Sequence, residues 1–323
     1  PRPTRGTMPR LSETWTMVYA ADMQPGSPRS YRFRPAFAEN WKIAREQILR
    51  LEPELLLVGG DITRDGSIHR WELEEMRRDF DGMGIPYRVI PGNMDTGNEH
   101  TRRPGPDPSR RDPELNITSE QVSRFEGVFG PSHWSTVHRG LRVTGFCDMI
   151  LGSSLPEEEG LWAWLESLRP LEGQGDHVFL THYAFFIDAP HEETFDIGRT
   201  DQYLSWYFGL DRPVRERLLG IGRRCGLTRV ITGHIHCRRE VVADGISFDY
   251  APGIAFAQWG DRGEGWDPTL GVLAYDVSDG RIVRKRFVPL ERVSTRTDGY
   301  GPGGHPHPEM RDYSLAWEKG GGP

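Results

Sequence analysis

The chain has 323 residues, of which 36% are hydrophobic and 11% aromatic, a composition that supports a folded core and excludes a disordered or fibrous protein. Its formal net charge of −7 argues against general binding to nucleic acids. No apolar run approaches the roughly 18 residues of a membrane span, so we expect no membrane segment. Three cysteines are too few for a disulfide framework. Because no signal peptide is visible either, we expect a cytoplasmic protein.

Apolar runs and helical patterns alternate in the first third of the chain. Residues 16–21, 55–59 and 87–90 are predicted as buried strands, and the spacing of apolar residues predicts helices over 36–51 and 68–80. Three strands separated by two helices indicate a mostly parallel sheet. In such a sheet, polar chemistry collects beyond the carboxyl ends of the strands.

The middle of the chain breaks this alternation. Residues 96–113 contain four prolines and four arginines without apolar periodicity, which predicts a long surface loop. Later strands and helices end in a predicted antiparallel hairpin over residues 272–288, so we predict an α/β fold with two packed sheets. We expect a single domain over residues 1–292, with an inserted loop at about 96–140, followed by a Gly/Pro/His-rich tail over 293–323.

Five short polar blocks each follow a predicted strand directly, and parallel strands that end together would bring them to one edge. Taken singly, each block has a structural explanation, such as a turn, a helix cap or a buried histidine. Together they offer carboxylate, amide and imidazole donors, a mixture that suits Mn, Fe or Zn, and two ions can share a bridging carboxylate. The blocks are Asp22-Met23-Gln24, Gly60-Asp61, Gly92-Asn93-Met94-Asp95, His182 and Gly233-His234-Ile235-His236.

In this order, the blocks resemble those of the calcineurin-like metallophosphoesterases, whose pattern is D-x-H, G-D-x-x-D, G-N-H-D/E, H and G-H-x-H. The resemblance covers residues 16–290 and implies two packed mixed β-sheets flanked by helices, with a site for two metal ions, Mn, Fe or Zn. It implies that Asp61 bridges the ions. By position, the other ligands are Asp22, Gln24 and His236 for one ion and Asn93, His182 and His234 for the other.

The implied activity is hydrolysis of a phosphomonoester, phosphodiester or pyrophosphate by attack of a metal hydroxide on phosphorus, with Asn93 and His182 placing the phosphate. Three positions depart from the pattern. Gln24 replaces a histidine, and Arg64 replaces the distal aspartate of the second block, a change expected to be peripheral. Met94 replaces the histidine to which a proton-donor or transition-state role is ascribed, and a thioether cannot donate a proton.

Three explanations for Met94 stay open. The substrate carries a good leaving group, another residue such as His100 or His191 donates the proton, or hydrolysis has been lost. In the last case the protein would be a catalytically impaired metal-binding member of the fold that acts in ligand or partner binding. A specialised pathway enzyme that uses its metals as Lewis acids is a further alternative.

The expected partner is a small phosphorylated substrate, and the sequence does not indicate an oligomeric state. Four arginines of the predicted loop could bind an anion bidentately, and Tyr183 belongs to a set of aromatic residues that could wall a pocket. A solvated loop and core packing are the structural alternatives. The arginines are Arg102, Arg103, Arg110 and Arg111. A second G-H-x-H match at residues 304–307 lies in the tail, follows no strand and is expected to be solvated.

Overall fold

The computed structural model describes residues 13–30, 32–107, 112–259 and 263–296. The strands are β1 (Trp15–Ala20), β2 (Leu55–Gly59), β3 (Tyr87–Ile90), β4 (His133–His138), β5 (Leu141–Phe146), β6 (His177–Thr181), β7 (Arg229–Thr232), β8 (Arg239–Ala243), β9 (Ile246–Tyr250), β10 (Gly271–Ser278) and β11 (Arg281–Pro289). The helices are α1 (Pro35–Arg50), α2 (Arg70–Asp81), α3 (Asn93–Thr96), α4 (Ser119–Phe129), α5 (Pro156–Ser167), α6 (Tyr203–Phe208) and α7 (Arg212–Cys225).

These strands form two mixed sheets. One sheet has the order β11-β10-β1-β2-β3, in which β1, β2 and β3 are parallel and the hairpin β10–β11 adds antiparallel strands. The other has the order β4-β5-β6-β7-β9-β8, with a parallel centre and antiparallel edges β4 and β8. The predicted combination of two mixed sheets is therefore confirmed.

The core follows from the two-residue period of the strands. Tyr19 and Leu57 of the first sheet belong to the same buried cluster as Leu180 and Ile231 of the second, so this cluster lies between the sheets. The alternate residues of β1 and β2 pack with α1 and α2, and those of β6 and β7 pack with α5 and α7. The result is a four-layered helix–sheet–sheet–helix sandwich, as the resemblance implied.

The region predicted as an inserted loop, residues 96–140, contains more regular structure than expected. It includes a short 3₁₀ turn (Asp112–Leu115), α4 and β4. Thr118 and Gln121 cap the start of α4 reciprocally, and β4 pairs with β5 over six residues. Strand β4 is a half-exposed edge strand, so the apolar run that identifies a buried strand is absent from its sequence.

Two expectations concern residues that the structure does not describe. The second G-H-x-H match lies outside the described residues, as does most of the tail. The division into a domain over residues 1–292 and a tail therefore stays a prediction. Among the described residues, no helix has the length and apolar character needed to cross a bilayer.

Candidate metal centre

The predicted ligands lie where the chain leaves five strands and turns sharply. Five of them have positive φ angles: Asp22 (56°), Gln24 (35°), Asp61 (49°), His234 (68°) and His236 (54°). This left-handed conformation is uncommon for residues other than glycine and is concentrated at functional sites. The backbone is therefore strained where the ligand side chains converge.

Glycines allow the loops to approach each other closely. A Cβ on Gly60 would lie 2.6 Å from Nδ1 of His182, and one on Gly92 would lie 2.2 Å from the backbone nitrogen of Asp61. Real Cβ atoms do not approach other atoms so closely, so a side chain at either position would push the loops apart. The G-D and G-N dipeptides thus serve the packing of the loops as well as the chemistry of the ligands.

The ligand side chains form two groups that share one carboxylate. Asp22, Asp61 and His236 make up the first half-site. Asp61, His182 and His234 make up the second, and within each group one donor atom per residue lies within 4.8 Å of the others. All five side chains are at most 2% exposed. Asp61 is common to both groups, so its carboxylate is placed where two ions could share it.

Each histidine of the centre is oriented by a hydrogen bond to a backbone carbonyl. Nδ1 of His182 donates to Gly59 (2.9 Å), Nε2 of His234 to Tyr207 (2.8 Å) and Nδ1 of His236 to Phe256 (2.8 Å). Because a carbonyl can only accept, the other ring nitrogen carries the lone pair whenever the imidazole is neutral, and it is the atom that would bind an ion. This arrangement is typical of metal-binding histidines, so the residues fit the ions that the resemblance implies.

Asn93 completes the second half-site with an oxygen. Its Oδ1 lies 3.0 Å from Nε2 of His182. Its Nδ2 donates to Oδ1 of Asn98 (3.0 Å) and to the hydroxyl of Tyr207 (3.2 Å). These two acceptors fix the amide so that its oxygen, and not its nitrogen, faces the other ligands.

The charges of the centre favour a cation. Burial raises the pKa of the Asp61 carboxyl, but the neighbouring His182 and His234 and the N–H of Met94 lower it to about 2. Burial lowers the pKa of His182, but Asp61, Asp22 and Asp148 raise it to about 10. Burial and the charge of His182 keep the pKa of His234 well below its usual value. The buried carboxylates therefore stabilise positive charge where ions would bind.

Gln24 lies at the first half-site, but its amide oxygen faces away from the other ligands. Its Oε1 accepts a hydrogen bond from Nη1 of Arg64 (2.9 Å), and its Nε2 donates to Oδ2 of Asp61 (2.8 Å). The expectation that the change at Arg64 is peripheral was therefore wrong. Arg64 contacts the residue that occupies the position of a predicted ligand.

The structure does not bring the two histidines proposed as replacement donors into the ligand set. His191 is exposed and interacts electrostatically with Glu216 on the outer helix α7. His100 is half-buried, and in the part of the chain that the structure describes its side chain makes no hydrogen bond to the ligands. Neither geometry indicates a role for these histidines at the centre.

Asn93, which was also predicted to bind the substrate, lies at the centre, and the other residues predicted for that role have different surroundings. Arg102 is exposed, and Arg103 pairs with Asp196 (2.9 Å). Tyr183 is 1% exposed, and its ring stacks on His234 with 4.2 Å between centroids. Tyr183 therefore buttresses a ligand and is not open to a substrate. Arg110 and Arg111 lie outside the described residues.

Three residues that position the ligands were missed in the sequence. Asp148 accepts the backbone N–H groups of His182 and Tyr183 (both 2.8 Å). Asn98 and Tyr207 hold the amide of Asn93 as described above. Asp148 follows β5 closely, so a polar residue just beyond a strand was the available signal for it. Tyr207 belongs with Tyr183 to the set of aromatic residues that could wall a pocket, but no pattern in the sequence marks its contact with Asn93, and none marks Asn98.

The fold and the buried two-part centre are those of a metal-dependent phosphoesterase, and comparison with known proteins agrees. The family described as calcineurin-like phosphoesterase matches residues 20–238. The chain belongs to this family, and the enzyme class expected from the polar blocks is confirmed.

One curated protein and one solved structure illustrate the likeness. The chain is 26% identical over 306 residues to a protein from Danio rerio named serine/threonine-protein phosphatase CPPED1, and the match covers 86% of each chain. It resembles the structure of purple acid phosphatase PPD1 from yellow lupin (Lupinus luteus) seeds with a TM-score of 0.54 and 13% identity. That match covers 87% of this chain but 55% of the lupin chain, so this chain spans about half of its length. At this identity the likeness concerns the fold alone.

Proposed function

We propose that this chain is a dinuclear metal-dependent hydrolase of phosphate esters. The observation that carries the proposal is that Asp61 belongs to both half-sites. The first half-site offers Asp22, Asp61 and His236, and the second offers Asp61, His182, His234 and the oxygen of Asn93. Bound there, two ions of Mn, Fe or Zn would act as Lewis acids on a phosphoryl group and supply a nucleophile at neutral pH.

Hydrogen bonds within the chain orient the side chains that would bind the ions. The N–H of Met94 donates to Oδ1 of Asp61 (2.8 Å), which holds the bridging carboxylate in place. The two hydrogen bonds from the amide nitrogen of Asn93 keep its oxygen toward the second half-site. Prepositioned ligands lower the reorganisation that the transition state requires.

The side chain of Met94 limits the range of leaving groups that the site can expel. It is half-exposed and cannot donate a proton, so a substrate is favoured whose leaving group departs without protonation. An aryl phosphate or a pyrophosphate meets this condition, whereas the alkoxide of a serine does not. The name of the Danio rerio relative makes a phosphoserine or phosphothreonine peptide the natural competitor. Monoester, diester and pyrophosphate therefore all belong in the first assay.

We also retain a cytoplasmic location and a small phosphorylated substrate as proposals. Cys147, Cys225 and Cys237 are buried and unpaired. Free cysteines of this kind are typical of a reducing compartment. Fractionation of cells that produce the chain would test the location.

The test combines metal content with hydrolysis. We expect about two ions per chain in elemental analysis, and cleavage of aryl phosphate or pyrophosphate that is abolished in Asp61→Ala. Asp201→Ala, which removes an exposed carboxylate far from any ligand block in sequence, is the matched control and should leave both readouts unchanged. Thermal melting of each variant reports whether the fold survives.

Met94→His tests the leaving-group argument. The variant should hydrolyse alkyl esters such as a phosphoserine peptide, which have poor leaving groups, about 10²–10⁴-fold faster than the wild type does. If two ions bind but no ester is cleaved by either protein, the alternative of a catalytically impaired metal-binding protein is favoured. If no metal binds when it is supplied, the ligand assignment is wrong.

A further inference from the structure

Two departures from the family pattern, at positions 24 and 64, contact each other. Gln24 stands in the first polar block and Arg64 in the second, forty residues apart. Nη1 of Arg64 donates to Oε1 of Gln24 (2.9 Å). Nε2 of Gln24 donates to Oδ2 of Asp61 (2.8 Å) and lies 3.5 Å from Nε2 of His236. The pair therefore presents an N–H donor, and not a lone pair, to the first half-site.

The orientation of this amide is determined by its neighbours. Turning the amide over would place its NH₂ group against a guanidinium, which has only donors, and would oppose its oxygen to the carboxylate of Asp61. Both hydrogen bonds would then become repulsive contacts. Gln24 is 3% exposed, so water cannot readily replace them. The oxygen of Gln24 is thus withheld from the centre for as long as Arg64 keeps its place.

Arg64 is in turn anchored by a buried carboxylate. Its backbone N–H donates to Oε2 of Glu72 (3.0 Å), which also accepts the N–H of Asp65 (2.8 Å). The other oxygen of Glu72 accepts the hydroxyl of Ser30 (2.6 Å) from the loop that follows β1. The loops that carry Gln24 and Arg64 are therefore tied together through Glu72, and the contact between their side chains is a built feature of the fold.

The two half-sites consequently differ in what they offer an ion. The second half-site has a carboxylate, two imidazoles and the oxygen of Asn93, whose amide is turned toward it. The first has two carboxylates and one imidazole, and its fourth neighbour is an N–H donor backed by a positive guanidinium. Compared with a site that has histidine at position 24, the first half-site offers a cation one ligand fewer. The positive guanidinium of Arg64 also repels the cation.

We propose that Gln24 and Arg64 make the metal centre asymmetric, so that the second half-site binds its ion tightly while the first binds weakly, fills last and releases its ion first. This inference rests on the proposed dinuclear centre. We expect the two dissociation constants to differ by about 10–100-fold, the range over which ligand-supporting groups change metal affinity.

The experiment measures metal binding directly. Metal-free protein is titrated with Mn²⁺, and free Mn²⁺ is counted from its electron paramagnetic resonance signal. Two separate binding phases are expected. His236→Ala should remove the weaker phase and His234→Ala the tighter phase, which assigns each phase to a half-site.

The decisive variant is the double substitution Gln24→His with Arg64→Leu, which supplies an imidazole and removes the guanidinium. It should tighten the weaker phase at least tenfold and leave the tighter phase unchanged. Arg29→Leu is the matched control, because Arg29 lies in the same loop as Gln24 but its guanidinium stacks on Trp71 at 4.4 Å. This control should bind Mn²⁺ as the wild type does.

Two ions bound with equal affinity by the wild type, or an unchanged weaker phase in the folded double variant, would overturn the inference and leave the dinuclear centre intact. Failure of the proposed function would look different. In that case neither the wild type nor the double variant would bind a second ion at any Mn²⁺ concentration. Circular dichroism melting of each variant separates these outcomes from loss of the fold.

Discussion

Asn98→Leu tests whether the orientation of the Asn93 amide is what completes the second half-site. Asn98 is 7% exposed, and its Oδ1 accepts one of the two hydrogen bonds that fix Nδ2 of Asn93. Leucine has a similar size but cannot accept. The amide of Asn93 then keeps the bond to Tyr207, at 3.2 Å, and a weak contact with Sδ of Met94, at 3.8 Å, and can turn its nitrogen toward the ligands.

The expected loss of metal affinity follows from the loss of that one hydrogen bond. A buried hydrogen bond whose donor is left unsatisfied costs about 1–2 kcal/mol, which corresponds to about a 5–30-fold weaker affinity at the second half-site. The first half-site does not contact this amide and should change little. Asn98→Asp is the matched variant, because it keeps an acceptor in the same place and should retain or increase the affinity.

The assay is the Mn²⁺ titration already described, with thermal melting as the control for folding. Weakening in the leucine variant together with wild-type or tighter binding in the aspartate variant would support the argument. Equal affinity in all three proteins would refute it, since the amide would then hold its orientation without Asn98. Equal weakening in both variants would also refute it, because the acceptor would not be the cause.

Two further predictions concern stability. Burial lowers the pKa of His177 to about 4, despite its hydrogen bond to the carbonyl of Cys225. Only the unfolded chain therefore takes up a proton as the pH falls below 6.5. Between pH 7 and 5 this proton uptake lowers the free energy of unfolding by about 2 kcal/mol. In urea denaturation at several pH values, His177→Gln should remove that loss. An unchanged dependence of the free energy of unfolding on pH in the variant would contradict the prediction. The guanidinium of Arg215 is buried and donates to the carbonyls of Phe185 and Leu210. Arg215→Met should lower the free energy of unfolding by about 2–4 kcal/mol, whereas Arg217→Met, at an exposed ion pair, should change it by less than about 1 kcal/mol.

Much of the fold could be predicted because its signals are local. The parallel strands β1, β2 and β3 are short apolar runs, and α1 begins at Pro35, where the fixed φ of proline suits a first helical turn. The strand β4 and the helix α4 were not predicted. Their half-exposed residues are stabilised by pairing with β5 and by packing against neighbouring helices, and such partners leave no periodic pattern in a single sequence.

The ligand residues themselves could be proposed from the sequence alone, because each is of a metal-binding type and directly follows a strand. What those side chains present to an ion was decided only in the tertiary structure. The sequence offers both an oxygen and a nitrogen at Gln24 and at Asn93. Arg64, forty residues beyond Gln24, turns one amide so that its nitrogen faces the centre, while Asn98 and Tyr207 turn the other so that its oxygen does. An amide is directional and its partners come from other loops, so its role depends on which donors and acceptors the fold places around it.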